Sequence, residues 1–151
     1  MNIAIIVAAG SGTRFGSDKP KQFLEIGGKP LLIHTLEKFE NCPLINEIVL
    51  VIASNQIINY REIAVKHHLR KIAKIVYGGK TRAESVFKGF SVIESATAEI
   101  VAIHDGARPF VSIEEITATI EKAMQTGAAC LVAPVTDTIK KVADGKIIGT
   151  I

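Results

Sequence analysis

The sequence contains little cysteine and no long hydrophobic run. Its two cysteines, Cys42 and Cys130, have no partners at the spacing of a disulfide framework or a metal site. The longest apolar stretches have the length of a strand and fall short of the roughly 20 residues that a membrane helix needs. We therefore expect no disulfide or cysteine chemistry and no membrane partner.

A large excess of charge is also missing. The chain has 18 basic and 15 acidic residues and a formal net charge of +3. This charge is too small and too dispersed for a nucleic-acid surface, although it suits a small anionic substrate. No basic segment precedes the first apolar run, so no secretory leader is indicated. We expect a cytoplasmic protein that has no nucleic-acid partner.

The composition is that of one globular domain. Hydrophobic residues make up 48% and charged residues 22% of the 151 positions, which excludes a disordered or low-complexity chain. A chain of this length can bury a substantial core.

Residues 1–22 carry the most informative motif. The run Ile3–Ala9 is continuously apolar, as in a central parallel strand that helices cover on both faces. A glycine-rich turn follows at 10–16, and Lys21 lies in the Pro-Lys-Gln triplet after it. Glycine lets backbone N–H groups approach an anion, while Arg14 and Lys21 supply positive charge. This stretch predicts a phosphate-binding loop.

Two common phosphate loops do not fit this turn. In the dinucleotide fingerprint G-x-G-x-x-G, the third glycine would come one place earlier and an acid would follow about 20 residues later. The P-loop pattern fails because Phe15 occupies its second glycine position. The remaining pattern, G-x-G-T-R-x-G followed by Pro-Lys-Gln, is similar to that of nucleotidyltransferases that join a sugar phosphate to a nucleoside triphosphate. Hydride transfer with NAD thus loses its main support.

A second nucleotide-binding turn is predicted at 78–80, after the third strand. Thr81 and Glu84 have the spacing of a capping box that begins a helix. The open backbone and the hydroxyl of Ser85 could bind the edge of a base. The alternative is a capped turn with Arg82 in solvent. The residues of this helix expected to face the core are Val86, Phe87, Phe90 and Ile93.

An aspartate follows the fourth predicted strand, 100–104. Ligands of open α/β sheets bind at the carboxyl ends of the strands, so we expect Asp105 near Gly10 and Arg14. The alternative is that Asp105 caps the chain or pairs with Arg108. His104 is interpreted as a hydrogen-bonded, partly buried residue.

The last part of the chain departs from the alternation of strands and helices. A helix that ends at Gly127 precedes a predicted fifth strand, Ala128–Val135. Asp144-Gly145 then predicts the tight turn of a hairpin. An isolated hairpin is marginally stable, so we expect a partner subunit to support it. The apolar end at Ile151 leads us to expect a truncated chain.

Four motifs in this order resemble those of the 2-C-methyl-D-erythritol 4-phosphate cytidylyltransferases. They are AAGSGTRFG with PKQ, GGKTRAESV, HDGARP and APVTDTIKK. The resemblance covers the whole chain and implies an α/β, Rossmann-like, three-layer nucleotidyltransferase fold with a mostly parallel sheet and a protruding β-arm hairpin. It implies a single domain over 1–151, a β-arm that begins within 138–151, and a homodimer formed through that arm.

The resemblance also implies a reaction and its residues. The cytidylyl group of CTP passes to 2-C-methyl-D-erythritol 4-phosphate, with Mg²⁺ or another divalent cation held mainly by the CTP phosphates and Asp105 as a further possible ligand. The implied catalytic residues are Arg14, Lys21 and Asp105. Those implied to bind CTP are Ala8, Ala9, Gly10, Ser11, Gly12, Thr13, Arg14, Lys21, Gly79, Lys80 and Ser85. Those implied to bind the acceptor are Asp105, Arg108 and Thr138.

The chain departs from the family pattern in two places. Gly106 stands where the family usually has alanine, a change expected to matter little. The family also continues beyond the equivalent of Ile151 with further site residues, so this chain alone is expected to have weak or no activity. Two alternatives stay open, a cytidylyltransferase for another polyol phosphate such as ribitol 5-phosphate and a nucleotide-binding module without catalysis.

Overall fold

A computed structural model describes residues 1–10, 24–53, 62, 64–94 and 96–150. In chain order its elements are β1 (Asn2–Ala8), β2 (Glu25–Ile26), β3 (Lys29–Pro30), α1 (Leu31–Glu40), β4 (Glu47–Ile52), β5 (Ile72–Tyr77), α2 (Arg82–Phe90), β6 (Ile100–Asp105), α3 (Ile113–Thr126), β7 (Lys140–Ala143) and β8 (Lys146–Thr150). Further helical backbone occurs at 62 and 64–66.

The central sheet has the strand order β5-β4-β1-β6, and all of its pairings are parallel. β1 therefore lies inside the sheet, as its unbroken apolar sequence predicts. Parallel strands covered on both faces need apolar side chains on both sides, which is why the run shows no alternation.

Helices cover the two faces of this sheet. On one face, α1 and α3 pack against the sheet. The core on this side contains residues of β1 and of both helices: Ala4, Ile6, Ala8, Leu32, Leu36, Ile116 and Ile120. On the other face lie Ile5 and Val51, against which α2 packs. The result is the three-layer α/β arrangement implied by the sequence.

Helix α2 approaches the sheet very closely. An added Cβ at Gly89 would lie 2.7 Å from Ile5 Cγ2, so only a glycine fits between this helix and the strand. The prediction that Phe87 and Phe90 face the core is wrong, because these residues are 71% and 51% exposed. The buried residues of α2 are Ser85 and Gly89, since the short distance to the sheet excludes large side chains.

The boundaries of α1 and α3 follow their sequence signals. Pro30 immediately precedes α1. Ser112 and Glu115 form a complete capping box at α3, and Gly127 ends that helix with a φ of 83°. None of the helices in the described ranges is long and apolar enough to cross a membrane.

Residues 128–139 form no strand, so the prediction of a fifth strand over Ala128–Val135 is wrong. The side chains of Leu131 and Val132 are 52% and 80% exposed. A strand needs a neighbour that takes up its backbone hydrogen bonds, and no strand in the described ranges pairs with this segment. Its apolar composition alone therefore does not produce a strand.

The predicted hairpin is confirmed. β7 and β8 pair antiparallel, and Asp144 and Gly145 between them have φ values of 47° and 72°. Positive φ at both central residues is the mark of a type I′ turn. Every residue of both strands is exposed, so the hairpin projects from the body of the protein.

Candidate functional site

The candidate residues of three strands meet at one edge of the sheet. Gly78, just after β5, donates its amide to the carbonyl of Ile52 at the end of β4, 2.8 Å away. Gly106, just after β6, donates its amide to the carbonyl of Val7 near the end of β1, also at 2.8 Å. The first bond holds the segment after β5 at the end of β4, and the second holds the segment after β6 at the end of β1, the neighbouring strand. Ligands of α/β sheets bind at these carboxyl ends.

Only the beginning of the predicted phosphate loop lies within the described ranges. Ala8 is buried, Ala9 is half-buried and Gly10 is exposed. A Cβ on Gly10 would meet no described atom within 4 Å. The predicted site residues outside the described residues are Ser11, Gly12, Thr13, Arg14 and Lys21. Their roles stay predictions from the sequence.

The hydroxyl of Ser85 holds the second predicted turn together. It accepts a hydrogen bond from the amide of Gly79 at 3.0 Å and donates one to the carbonyl of Thr81 at 2.9 Å. The residue is only 2% exposed. A hydroxyl has one hydrogen to donate, and here Thr81 receives it. Ser85 thus has a structural role in the turn that its sequence position did not indicate, and its contact with a base stays a prediction.

The cap of α2 supports the same turn. Thr81 Oγ1 accepts from the amide of Glu84 at 3.1 Å, as predicted. The carboxylate of Glu84, however, accepts from the amide of Lys80 at 2.8 Å and not from that of Thr81, so the predicted capping box is half formed. The Glu84 side chain thus binds the backbone of the residue before the helix cap. Lys80 itself is exposed at the surface of this turn.

Gly78 is the point at which the two predicted nucleotide-binding segments touch. A Cβ on Gly78 would overlap with the Cβ of Ala9 and would lie 2.9 Å from Ser85 Oγ. Real Cβ atoms do not come so close to other heavy atoms. The turn after β5 can therefore lie against the end of β1 only because residue 78 has no side chain.

Asp105 lies between two guanidinium groups. Its Oδ1 accepts from Arg82 Nε at 2.8 Å, and its Oδ2 accepts from Arg108 Nε at 2.9 Å. Partial burial alone would raise the pKa of this carboxyl, but the two arginines outweigh that effect and hold the pKa below its ordinary value. Asp105 is thus an ionised acceptor at neutral pH.

Arg82 is the residue of this cluster that the sequence did not assign. The alternative of a capped turn with Arg82 in solvent is incomplete: the turn is capped and the Arg82 side chain is 60% exposed, but its guanidinium also pairs with Asp105. The alternative that Asp105 pairs with Arg108 is confirmed. The signal for Arg82 was its place at the start of the helix after the glycine turn, at the same sheet edge as Asp105.

Gly106 lies in a tight space. A Cβ there would come 2.7 Å from Leu32 Cδ1 and 2.9 Å from the Cβ of Ala8. The Gly106 carbonyl accepts a hydrogen bond from the buried hydroxyl of Thr35 at 2.9 Å. An alanine here would need Leu32 and Ala8 to shift, which argues against the expectation that the difference between glycine and alanine matters little.

His104 packs beneath the site. Its ring centroid is 5.0 Å from that of Phe39, and its Nδ1 is buried without a hydrogen-bond partner among the described residues. Burial lowers the pKa of His104 and outweighs the opposing attraction of Asp105. The ring is partly buried as expected, but the expected hydrogen bond is not formed at Nδ1.

The two remaining expectations from the sequence concern Thr138 and a divalent cation. Thr138 is exposed in the segment before β7 and has no hydrogen bond to a described residue. Within the described ranges, no three histidine, cysteine, aspartate or glutamate side chains form a group that could hold a metal ion. Asp105 lies beside Val7 at the end of β1, and each of its two oxygens accepts a hydrogen bond from an arginine.

These features define a three-layer α/β protein whose candidate nucleotide site lies at the carboxyl ends of parallel strands. The family model for 2-C-methyl-D-erythritol 4-phosphate cytidylyltransferase matches residues 2–151. The chain belongs to this family, as its four motifs indicated.

Curated relatives and solved structures agree with this assignment. The chain is 42% identical to the enzyme of this name from Bacillus licheniformis, over 100% of this chain and 65% of the relative. It is 49% identical to that of Clostridium tetani, over 92% of this chain and 56% of the relative. The crystal structure of 4-diphosphocytidyl-2C-methyl-D-erythritol synthase from Anaerococcus prevotii superposes with a TM-score of 0.79 at 31% identity, covering 99% of this chain and 62% of that one. The chain thus spans between 56% and 65% of the length of these proteins.

Proposed function

We propose that the protein containing this chain transfers the cytidylyl group of CTP to 2-C-methyl-D-erythritol 4-phosphate. The products are 4-diphosphocytidyl-2-C-methyl-D-erythritol and pyrophosphate. The observation that carries this proposal is the meeting of the end of β1, the turn at 78–85 and Asp105 at one sheet edge, in a member of this family. A reaction that consumes CTP also fits the cytoplasmic location expected from the sequence.

The proposed chemistry is an in-line substitution at phosphorus. A phosphate oxygen of the acceptor attacks the α-phosphorus of CTP, a new P–O bond forms, and the bond to the β-phosphate oxygen breaks to release pyrophosphate. The protein contributes positioning and charge stabilisation. The backbone from Ala8 to Thr13 surrounds the triphosphate, and Arg14 and Lys21 stabilise the charge that develops on it.

The other candidate residues divide between the two substrates. The turn with Gly79, Lys80 and Ser85 receives the cytosine. Asp105 and Arg108 face the acceptor, and the 74% exposure of the Arg108 side chain leaves its guanidinium accessible to a ligand. Thr138, on the segment that leads into the hairpin, contacts the acceptor in the site of a neighbouring subunit.

A divalent cation fits this arrangement as a companion of CTP. Mg²⁺ bound to the phosphates supplies charge neutralisation and holds the triphosphate in a defined geometry. Asp105 would contribute an oxygen, because the carboxylate is ionised and each oxygen that accepts one hydrogen bond from an arginine keeps a second lone pair. The described residues offer no cage of several carboxylates, so the phosphates themselves would provide most of the ligands.

The hairpin supports the proposal of a homodimer. Val142, Ile147 and Ile148 are 58%, 67% and 57% exposed. A two-stranded hairpin is marginally stable by itself and needs a surface on which to pack. A second copy of the protein would supply that surface and would bring Thr138 to the neighbouring site.

A pyrophosphate-release assay on the gene product that contains these 151 residues tests the reaction. We expect release when CTP and 2-C-methyl-D-erythritol 4-phosphate are both present, and none with CTP alone. Release with ribitol 5-phosphate only would overturn the acceptor assignment. Binding of CTP in calorimetry without any release would favour a nucleotide-binding module without catalysis.

The role of Lys21 can be tested in the same assay. Lys21→Ala should lower kcat by about 100- to 1,000-fold, or about 2.7 to 4 kcal/mol, if the loss resembles that of one oxyanion-hole donor. Lys19→Ala removes the same charge two residues earlier and is the matched control. Near-normal turnover of Lys21→Ala would contradict the assignment.

A further inference from the structure

The carboxylate of Asp105 is held by two arginines that come from different parts of the chain. Arg108 lies three residues further along and binds Oδ2 at 2.9 Å. Arg82 lies 23 residues earlier, in the first turn of α2, and binds Oδ1 at 2.8 Å. The pair formed by Arg82 therefore connects the amino terminus of α2 to the end of β6.

Arg82 belongs to the same short segment that fixes the predicted cytosine-binding turn. Thr81, just before it, caps the helix. Glu84 and Ser85, just after it, hold the amides of Lys80 and Gly79. The backbone of Arg82 is thus set by the turn, while its guanidinium is bound to the carboxylate predicted to face the acceptor.

The ion pair between Arg82 and Asp105 is too exposed to contribute much to the stability of the fold. The side chains of Arg82 and Asp105 are 60% and 30% exposed. Ion pairs of this kind contribute little to the stability of a fold because solvent screens them. The contact does, however, fix the orientation of Asp105, since each carboxylate oxygen has one guanidinium partner.

We infer that Arg82 is a positioning residue for the transfer reaction, acting on the acceptor through Asp105. This inference rests on the proposed function. Arg82 sets the Asp105 carboxylate in one orientation and joins the turn that receives the base to the group that receives the acceptor. Its removal leaves Asp105 held on one side only, by Arg108.

The test is steady-state kinetics of Arg82→Gln in the gene product that contains these residues. We expect kcat/KM for the acceptor to fall about 10- to 100-fold, the range for losing a hydrogen bond to a charged group. The KM for CTP should change less than about threefold, because Gly79, Lys80 and Ser85, which are proposed to bind the base, are all kept. Arg82→Lys keeps the charge and should restore part of the loss. Arg70→Gln is the matched control, since Arg70 is exposed and its side chain forms no ion pair among the described residues.

A double-mutant cycle separates an action through Asp105 from a direct contact with a ligand. In an Asp105→Asn background, Arg82→Gln should have little further effect on the acceptor. An equal loss in both backgrounds would overturn the inference, as would a rise in the KM for CTP alone.

A measurement without catalysis keeps this inference separate from the proposed function. The carboxyl carbon resonance of Asp105 should shift in Arg82→Gln and stay in place in Arg70→Gln. If pyrophosphate release is absent but this shift is seen, the proposed reaction fails while the positioning contact stands. If release is present but the resonance and the acceptor kinetics are unchanged in Arg82→Gln, the inference fails.

Discussion

The buried hydroxyl of Thr35 donates a hydrogen bond to the carbonyl oxygen of Gly106, 2.9 Å away. The two residues are 71 positions apart, so this bond ties α1 to the loop that follows Asp105. On its other side Gly106 is held by the bond from its amide to the carbonyl of Val7. Two buried backbone anchors therefore set the place of the loop that carries Asp105 and Arg108.

Replacing Thr35 with valine should destabilise the protein. Valine has nearly the same shape but leaves the Gly106 carbonyl without its donor, which costs about 1 to 3 kcal/mol for a buried group. Urea unfolding measures the change. Thr119→Val is the matched control, because among the described residues that hydroxyl bonds only the carbonyl of Glu115, one turn earlier on α3. Its effect should stay within about 0.5 kcal/mol. Equal losses in both variants would contradict the role of Thr35.

Gly106→Ala should also destabilise the protein, against the expectation from the sequence. The new Cβ would press on Leu32 Cδ1 and on the Cβ of Ala8. Overpacking of this kind costs about 1 to 3 kcal/mol. The same denaturation experiment compares it with Gly149→Ala, where a Cβ would meet no described atom within 4 Å. If the two alanine variants unfold at the same urea concentration, the close packing at Gly106 is unimportant.

The sequence predicts most of the fold because its local signals agree with one another. Unbroken apolar runs mark strands covered on both faces, Ser112 with Glu115 and Gly127 mark the ends of α3, and Asp144-Gly145 marks the hairpin turn. Each of these signals concerns residues that are close in the chain. Local chemistry alone is therefore sufficient to place them.

The errors arise where the outcome depends on distant partners. Helical periodicity does not reveal how closely α2 lies to the sheet, so it misplaced Phe87 and Phe90. An apolar run does not reveal whether a neighbouring strand is present, as residues 128–135 show. The pair of Arg82 with Asp105 likewise depends on two segments meeting at a sheet edge.

Ser85→Ala should weaken the binding of CTP. The change removes the acceptor for the Gly79 amide and the donor to the Thr81 carbonyl, so the turn loses its internal support. A loss of about 1 to 2 kcal/mol corresponds to about 5- to 30-fold in the dissociation constant. Titration calorimetry with CTP measures it. Ser91→Ala at the other end of α2 removes a hydroxyl whose one bond within the described part of the chain is to the Lys88 carbonyl, and it should leave CTP binding unchanged.

Acid should destabilise the protein partly through His104. Burial lowers its pKa below the ordinary value of 6.5, so the unfolded chain takes up this proton at a higher pH than the folded one. The free energy of unfolding should therefore fall as the pH decreases through about 6.5. Urea unfolding between about pH 7.5 and pH 5.5 should show a smaller fall for His104→Gln than for the unmodified protein. His67→Gln is the control. If the free energy of unfolding falls as little in His67→Gln as in His104→Gln, His104 is not the source of the pH dependence.

The close contact at Gly78 has a consequence for any attempt to change the base that is proposed to bind at this turn. The end of β1 and the turn after β5 share this one residue as their boundary, with Ala9 on one side and Ser85 on the other. A larger residue introduced in the turn to fit a different base would push directly on the backbone that leads into the phosphate loop. Redesign of nucleotide preference must therefore vary residues 8–10 and 78–85 in the same library, because selection on either segment alone would sample mainly variants that damage the other.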